Sequence, residues 1–248
     1  MKTAVIIGAT SGIGKAVAEK LLEQGWRVGI AGRRADALKE IKSRYNEAVP
    51  QVIDITSDNA AGRLEALLEM CGAPDLFLHV SGIGLQNPGM DEEKELSVVR
   101  TNCEGMVRIL SRFINYVKSC GEYGPHRKAH IGVVTSLAGT KGMGISAAYS
   151  ASKKMQSTYV SALVQLSRME KLPLTFSDIR PGFVDTAILN PSRHYPMKIP
   201  VDKAADIIVR GLSRRQRTIT FDWRFRWIGR IWRCIPTWLW ERFTFVKN

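Results

Sequence analysis

Short apolar runs alternate with longer segments that carry a helical apolar stripe. The run "TAVII" (3–7) is continuous and is stopped by a glycine, the pattern of a buried strand. In "KAVAEKLLEQG" apolar residues recur at three- and four-residue intervals and the segment ends on Gly25, which predicts a helix with a glycine stop. The alternation continues with strand "RVGIA", helix "ADALKEIKSRY", strand "AVPQVID", a helix near 59–70 and strand "DLFLHV". A long helical region (about 94–118) follows, then strand "HIGVVTS", a helix opened by "AAYSASKK", strand "LTFSDI", helix "DKAADIIVRGL" and strand "TITF". Strands and helices in strict alternation predict a parallel sheet covered on both faces, with right-handed crossovers. The expected fold class is α/β: one domain over 1–220, doubly wound around seven parallel strands. Residues 221–248 form a compositionally distinct extension.

Composition narrows the classes. Of 248 residues, 45% are hydrophobic and 24% charged, which fits a soluble globular protein rather than a disordered or fibrous one. No stretch approaches the ~20 apolar residues of a membrane span. The apolar run Ala4 to Ile7 is too short for a signal-peptide core, so export is not expected. Cys71, Cys103, Cys120 and Cys234 show no CxxC spacing; a reducing, cytoplasmic compartment fits, with no disulfide and no metal site. A net charge of +13 favours anionic partners, such as a phosphorylated cofactor or an acidic membrane. No nucleic-acid module is recognisable, so nucleic acid is not an expected partner.

Chemistry enters at the first turn. In "GATSGIG", Gly8, Gly12 and Gly14 link a strand to a helix, with Thr10, Ser11 and Ile13 between them. Glycines there permit a tight turn and a close backbone approach to a pyrophosphate at the helix N-terminus. The spacing is GxxxGxG rather than GxGxxG, and a purely structural glycine turn is the alternative. The second strand ends "IAGRRAD". An acidic residue there would bind the ribose 2′-hydroxyl of NAD; Arg33 and Arg34 instead suit a 2′-phosphate, so the expected cofactor is NADP(H).

Three further segments converge on the stretch "YSASK" (149–153), whose phenol and amine lie one helical turn apart. Ser136 in "VVTSLAG" and Pro181-Gly182 in "RPGFVDT" follow strands, at the C-terminal rim where open α/β sheets bind ligands; Asn102 lies in "TNCEG". With "DIT" (54–56), these motifs in this order resemble the short-chain dehydrogenase/reductase family over residues 1 to about 220. The resemblance implies a Rossmann fold and a reaction in which hydride passes between nicotinamide and a carbonyl or alcohol substrate. It implies that Tyr149 is the general acid, its pKa lowered by Lys153 and the bound nicotinamide, and that Lys153 binds the nicotinamide ribose. Ser136 would polarise the carbonyl, and Asn102 would hold a water that carries protons onward from Lys153. Asp54 and Ile55 would meet the adenine, and Ser81 and Gly82 would line the cofactor site. Pro181, Gly182, Val184 and Thr186 would seat the carboxamide. A homodimer or homotetramer is implied as well. Two positions depart from the family pattern. Ile7 stands where threonine is usual, and His79-Val80-Ser81-Gly82 replaces "NNAG", with His79 able to supply the hydrogen bond of the first asparagine.

Between about 185 and 200, Ile188, Leu189, Tyr195 and Met197 would form an apolar substrate lid, with Arg193 and His194 as polar contacts. The loop "SGIGLQNPG" would line the opposite wall. In the tail, Trp223, Trp227, Ile231 and Ile235 recur every four residues, with Arg226, Arg230 and Arg233 on another flank and Pro236 as a break. Such a helix suits an anionic membrane surface over 221–243, or packing on the domain or on a partner subunit. The expected function is an NADPH-dependent carbonyl reductase or alcohol dehydrogenase acting on a fairly apolar, lipid-like small molecule. The alternatives are a catalytically silent nucleotide-binding regulator and a membrane-surface protein acting through its tail.

Overall fold

The computed structural model describes residues 1–189, 195, 197–221 and 223–243, the side chains at 223, 225, 226, 228, 230 and 233 excepted. In chain order the elements are β1 (Thr3–Ile7), α1 (Gly12–Glu23), β2 (Arg27–Gly32), α2 (Ala35–Arg44), β3 (Ala48–Val52) and α3 (Ala60–Cys71). Then come β4 (Leu76–His79), α4 (Glu92–Val99), α5 (Met106–Ser119), β5 (Ala129–Val134), α6 (Ala147–Met169) and β6 (Leu174–Arg180). α7 (Val201–Ser213), β7 (Thr218–Thr220), α8 (Trp223–Cys234) and α9 (Thr237–Trp240) complete the described chain.

The strands form one seven-stranded sheet in the order β3-β2-β1-β4-β5-β6-β7, and every pairing in it is parallel. This is the doubly wound arrangement expected from the alternation of elements. The strand order reverses at β1 and β4, so the chain leaves the sheet in opposite directions there and opens a crevice at the C-terminal strand ends. Successive side chains of a strand point to opposite faces, and β1 serves two cores. Val5 and Ile7 pack with α3, α5 and α6 residues such as Leu64, Phe113 and Val160. Ala4 and Ile6 pack with α1 and α7 residues such as Val17, Leu21 and Ile208. On the first face Phe77 and Phe113 stack with ring centroids 4.1 Å apart.

The long helical region expected near 94–118 is three segments: α4, a π-helical stretch Arg100–Gly105, and α5. A π turn inserts one residue and widens the helix, which loosens the usual carbonyl ladder. At Gly105 an added Cβ would lie 2.8 Å from Ile55 Cγ1, so a larger residue would separate this stretch from the β3 side of the molecule.

Two buried histidines set an acid limit on stability. His79 is 0% exposed, and neither ring nitrogen has a hydrogen-bond partner among the described residues. The Ser81 backbone still acts on the ring, in the sense that raises its pKa. Burial, with the Lys153 ammonium adding to it, drives its pKa down to about 3. His130 meets Thr175 Oγ1 at 2.8 Å and Ser177 Oγ at 2.9 Å, and burial, then Arg215, lowers its pKa to about 4. Both rings are neutral in the folded protein and protonate more readily once unfolded. Stability is therefore complete above the unfolded value near 6.5 and is lost as pH falls toward the folded values. At pH 5 each ring removes about 2 kcal/mol. Thermal melts between pH 7 and 5 should show this loss, and His79→Asn should remove roughly half of it. A pH-independent melting temperature over that range would contradict the assignment.

Candidate active site

The parallel sheet brings four chain segments to one rim: the turn after β1, the Val80–Gln86 loop after β4, Ser136 after β5 and Pro181 after β6. At the first, the Gly8 and Ala9 amides both donate to the Ala31 carbonyl, folding the turn back onto β2. Gly8 has φ +98°, in the left-handed region that favours glycine. A Cβ on it would stand 2.7 Å from the Ser81 amide nitrogen, and one on Gly14 would stand 2.0 Å from the Gly8 carbonyl oxygen. The turn thus packs flat between the β4 loop and the start of α1. Ser11 caps α1 without a side-chain hydrogen bond.

At the end of β2, a Cβ on Gly32 would lie 2.6 Å from the Thr10 methyl group, so the first position after the strand core has no room for a side chain. The next two residues, Arg33 and Arg34, are exposed at the rim. Arg34 Nη2 donates to Thr10 Oγ1 at 3.1 Å, which ties it to the glycine turn. Across the mouth, burial pushes the Asp54 carboxyl up, but two hydrogen bonds from Thr56 and the charge of Arg33 bring it below the usual carboxylate range.

The "YSASK" stretch lies in the first and second turns of α6. Helix and loop touch closely: a Cβ on Gly139 would be 2.6 Å from the Lys153 carbonyl carbon, and one on Gly84 would be 3.1 Å from the Tyr149 ring. Ser136 Oγ accepts from the Ala138 amide at 3.0 Å, capping a short 3-10 turn, and the Ser136 side chain acts on the Tyr149 phenol to lower its pKa. Lys153 is buried, and its Nζ donates to the Val134 carbonyl at 3.1 Å and to Gln156 Oε1 at 2.9 Å. Nζ lies 5.8 Å from the centre of the Tyr149 ring. Burial lowers the Lys153 pKa to about 8, opposed by Cys103 and Asp178.

For Tyr149, burial raises the phenol pKa and the Ser136 bond lowers it, with a net rise. The lowering expected from Lys153 is not the dominant effect here, because the ammonium is engaged at Val134 and Gln156. Asn102, in the π stretch, is fully buried. Its side chain exchanges two 2.8 Å hydrogen bonds with the Ile83 backbone and donates to Ser152 Oγ at 3.0 Å. Its carbonyl, to which the expected water would bind, accepts from Gln156 Nε2 at 2.7 Å.

All these pieces except two border one cavity of about 580 Å³. Gly8, Thr10, Ser11, Gly12, Ile13, Arg33, Arg34, Asp54, Ile55, Ser81 and Gly82 are among its lining residues. Ser136, Tyr149, Lys153, Pro181, Gly182, Val184 and Thr186 line it as well. Gly14 and Asn102 stand one layer behind. Ile188, Leu189, Tyr195 and Met197 border the same cavity, as do Ile83 to Gln86. Arg193 and His194 lie outside the described residues, as do the side chains of Trp223, Arg226, Arg230 and Arg233 in the expected tail stripe.

A family model described as short chain dehydrogenase matches residues 2–196. The chain belongs to the short-chain dehydrogenase family. With that membership it is an oxidoreductase by class. A curated relative in Myxococcus xanthus, named an uncharacterized oxidoreductase, is 29% identical over 244 residues, covering 95% of this chain and 93% of that protein. Among solved structures, a short chain dehydrogenase from Burkholderia cenocepacia in complex with NADP superposes with TM-score 0.81 at 21% identity, covering all of both chains. One from Burkholderia phymatum in complex with NAD gives TM-score 0.80 at 20% identity over 92% of each chain.

Two contributors to this short-chain dehydrogenase site were not anticipated. Gln156 joins Lys153 to Asn102; its signal was an amide beside Val160 and Leu163 on the inner face of a helix. The tail is the other: Gly229 and Trp232 of α8 border the cavity. Lys141 Nζ donates to the Ile235 carbonyl at 2.7 Å, and Trp240 Nε1 to the Gly142 carbonyl at 2.7 Å. Of the alternatives open for the tail, packing on its own domain is the one seen.

Proposed function

We propose that the protein is an NADPH-dependent carbonyl reductase or alcohol dehydrogenase that interconverts a fairly apolar ketone and its secondary alcohol. The observation that carries this reading is one cavity holding both the Ser136–Tyr149–Lys153 cluster and, at its far end, the Arg33–Arg34 pair. A dinucleotide suits the residues present, because Gly8, Gly12 and Gly32 line the cavity without side chains that would cover the backbone where a pyrophosphate and ribose would approach. Gly32 also excludes the acidic side chain of an NAD site, and the guanidinium groups beside it are matched to a 2′-phosphate.

When bound, the reduced nicotinamide supplies a hydride to the carbonyl carbon, and the C=O π electrons pass to oxygen. Ser136 orients that oxygen by donating a hydrogen bond, as an oxyanion donor does. Tyr149 gives it the proton, completing the alcohol. Lys153 uses two of its three N–H donors on Val134 and Gln156 among the described residues, leaving one for a group in the cavity. Asp54 and Ile55 border the adenine end, and Pro181, Gly182, Val184 and Thr186 the carboxamide end. The complete cluster disfavours a silent regulator. Steady-state assay of ketones and secondary alcohols with NADPH or NADP decides the matter; absence of turnover across a broad apolar panel would reject it.

The apolar substrate follows from the cavity lining, which includes Leu137, Met143, Ile188, Leu189, Met197 and Trp232 beside Tyr149. A lipid-like ketone fits that lining, and the tail supports delivery from a membrane surface. The helix that offers Trp232 inward leaves Trp227 and Ile231 53% and 57% exposed, and Trp238 beyond it is 60% exposed. Arg242 lies 5.5 Å from the Trp238 ring. Tryptophan beside arginine suits the interface of an anionic bilayer. No helix of the described residues is long and apolar enough to cross a membrane, so the contact would be peripheral. The protein should float with anionic vesicles, and Ile231→Glu with Trp238→Glu should abolish flotation; unchanged flotation would dismiss the contact. The assembly expected of the family, a dimer or tetramer in the cytoplasm, completes the reading.

A further inference from the structure

We propose that Gln156 is a positioning residue, whose side-chain amide stands between the Lys153 ammonium and the Asn102 carbonyl and holds that ammonium in place. The inference rests on the reading of Lys153 given above, but its geometry is independent of any substrate. Gln156 is 0% exposed and lies three residues beyond Lys153 on the same face of α6. Its Oε1 accepts from Lys153 Nζ at 2.9 Å while its Nε2 donates to the Asn102 carbonyl at 2.7 Å.

The orientation of the amide is forced. An ammonium can only donate and a carbonyl can only accept, so the oxygen faces Lys153 and the nitrogen faces Asn102. The π stretch explains why the Asn102 carbonyl is available at all. In an α-helix it would accept from the amide four residues on; in this π stretch it accepts from Gln156 Nε2 on α6 at 2.7 Å. The family resemblance assigns this gap to a water; here the protein fills it with its own dipole.

Two consequences follow. A water can rotate and exchange, but the Gln156 amide is pinned at both ends, so Lys153 has a fixed direction toward the cavity. An amide also neither gives nor takes a proton near neutral pH, so Lys153 exchanges its proton through the cavity and not through Asn102. The titratable groups around Lys153 come from four elements: Tyr149 on its own helix, Cys103 on the π stretch, Asp178 on β6 and His79 at the end of β4. Asp178 is already engaged by Arg180 at 2.6 Å and by the Thr135 hydroxyl at 2.6 Å. Gln156 is the neutral acceptor that meets the buried cation directly.

The test reads Lys153 itself. Protein labelled with ε-13C lysine is titrated by NMR without cofactor, and the Lys153 signal is assigned by its loss in Lys153→Arg. In the parent it should titrate near about 8, apart from solvent-exposed lysines. Gln156→Met keeps the length and removes the acceptor, so the midpoint should move down by about one unit. Gln156→Glu keeps the shape and adds a negative charge, so it should move up by a similar amount. The alkaline limb of kcat/KM for NADPH should follow in the same directions. A residue that merely fills space would not give shifts of opposite sign, and midpoints equal to the parent in both variants would overturn the proposal. If Gln156→Met fails to fold, Gln156→Glu decides alone: an upward shift supports the role and no shift removes it. Tyr149→Phe assayed beside them separates the two readings. Full activity there would reject the catalytic assignment and leave the Lys153 titration to judge Gln156.

Discussion

Tyr149→Phe should lower kcat for carbonyl reduction by about 10²- to 10⁴-fold, the range that a positioned proton donor contributes. The substitution removes one oxygen and leaves the ring, which packs against Gly84 at the cavity wall. Binding of NADPH, followed by fluorescence, should therefore change little. Because the lost interaction is made to an oxygen that gains charge only as hydride arrives, kcat and kcat/KM should fall together, with KM nearly unchanged. Ser136→Ala should show a smaller loss, since Ser136 polarises but does not protonate. The pH dependence follows from the Lys153 value near 8. As pH rises through about 8 Lys153 loses its charge, and with it the cation offered to the cofactor ribose, so kcat/KM should fall. Retention of turnover by Tyr149→Phe, with the cofactor still binding, would remove the phenol from the mechanism.

The parts of this molecule that were legible in its sequence are those fixed by the backbone or by periodicity. Gly8 and Gly14 could be read because no side chain can occupy those positions, and the seven strands because each is a short apolar run between helices. The sheet then carries Ser136, Tyr149 and Lys153 to one place without further information. Contacts between a side chain and a carbonyl in another element were not legible. The π turn adds a residue inside an apolar pattern that reads as one continuous helix, so the freed Asn102 carbonyl has no signature. Gln156 left a faint one, an amide among Val160 and Leu163 on the buried face. The tail was ambiguous for a different reason. With tryptophans on more than one side of α8, a four-residue period identifies a stripe but not which side meets the domain, and the inward residues proved to include Gly229 and Trp232.

Arg33→Asp should shift cofactor preference from NADPH toward NADH by about 100-fold or more. A hydrogen bond to a charged group contributes about 1.5–3 kcal/mol, or roughly 10- to 100-fold in affinity, and replacing the cation by a carboxylate adds repulsion of the 2′-phosphate. The site has little else to compensate. Gly32 leaves no room for a side chain, since a Cβ would meet the Thr10 methyl at 2.6 Å. Arg34 is committed in part to Thr10 Oγ1, so it holds the turn as well as facing the rim. Arg34→Ala should accordingly weaken both cofactors, through the loosened turn, and NADPH more than NADH. The substituted aspartate would also face Asp54 across the mouth, where Arg33 now helps to keep that carboxyl ionised. Part of the loss should therefore be recovered by Arg33→Ser, which removes the cation without adding a like charge. Both guanidinium groups are exposed, so the preference for NADPH in the parent should shrink as ionic strength rises. Steady-state kcat/KM for the two cofactors, measured at low and high salt, checks each step. An unchanged ratio in Arg33→Asp would place the choice of nucleotide elsewhere in the cleft.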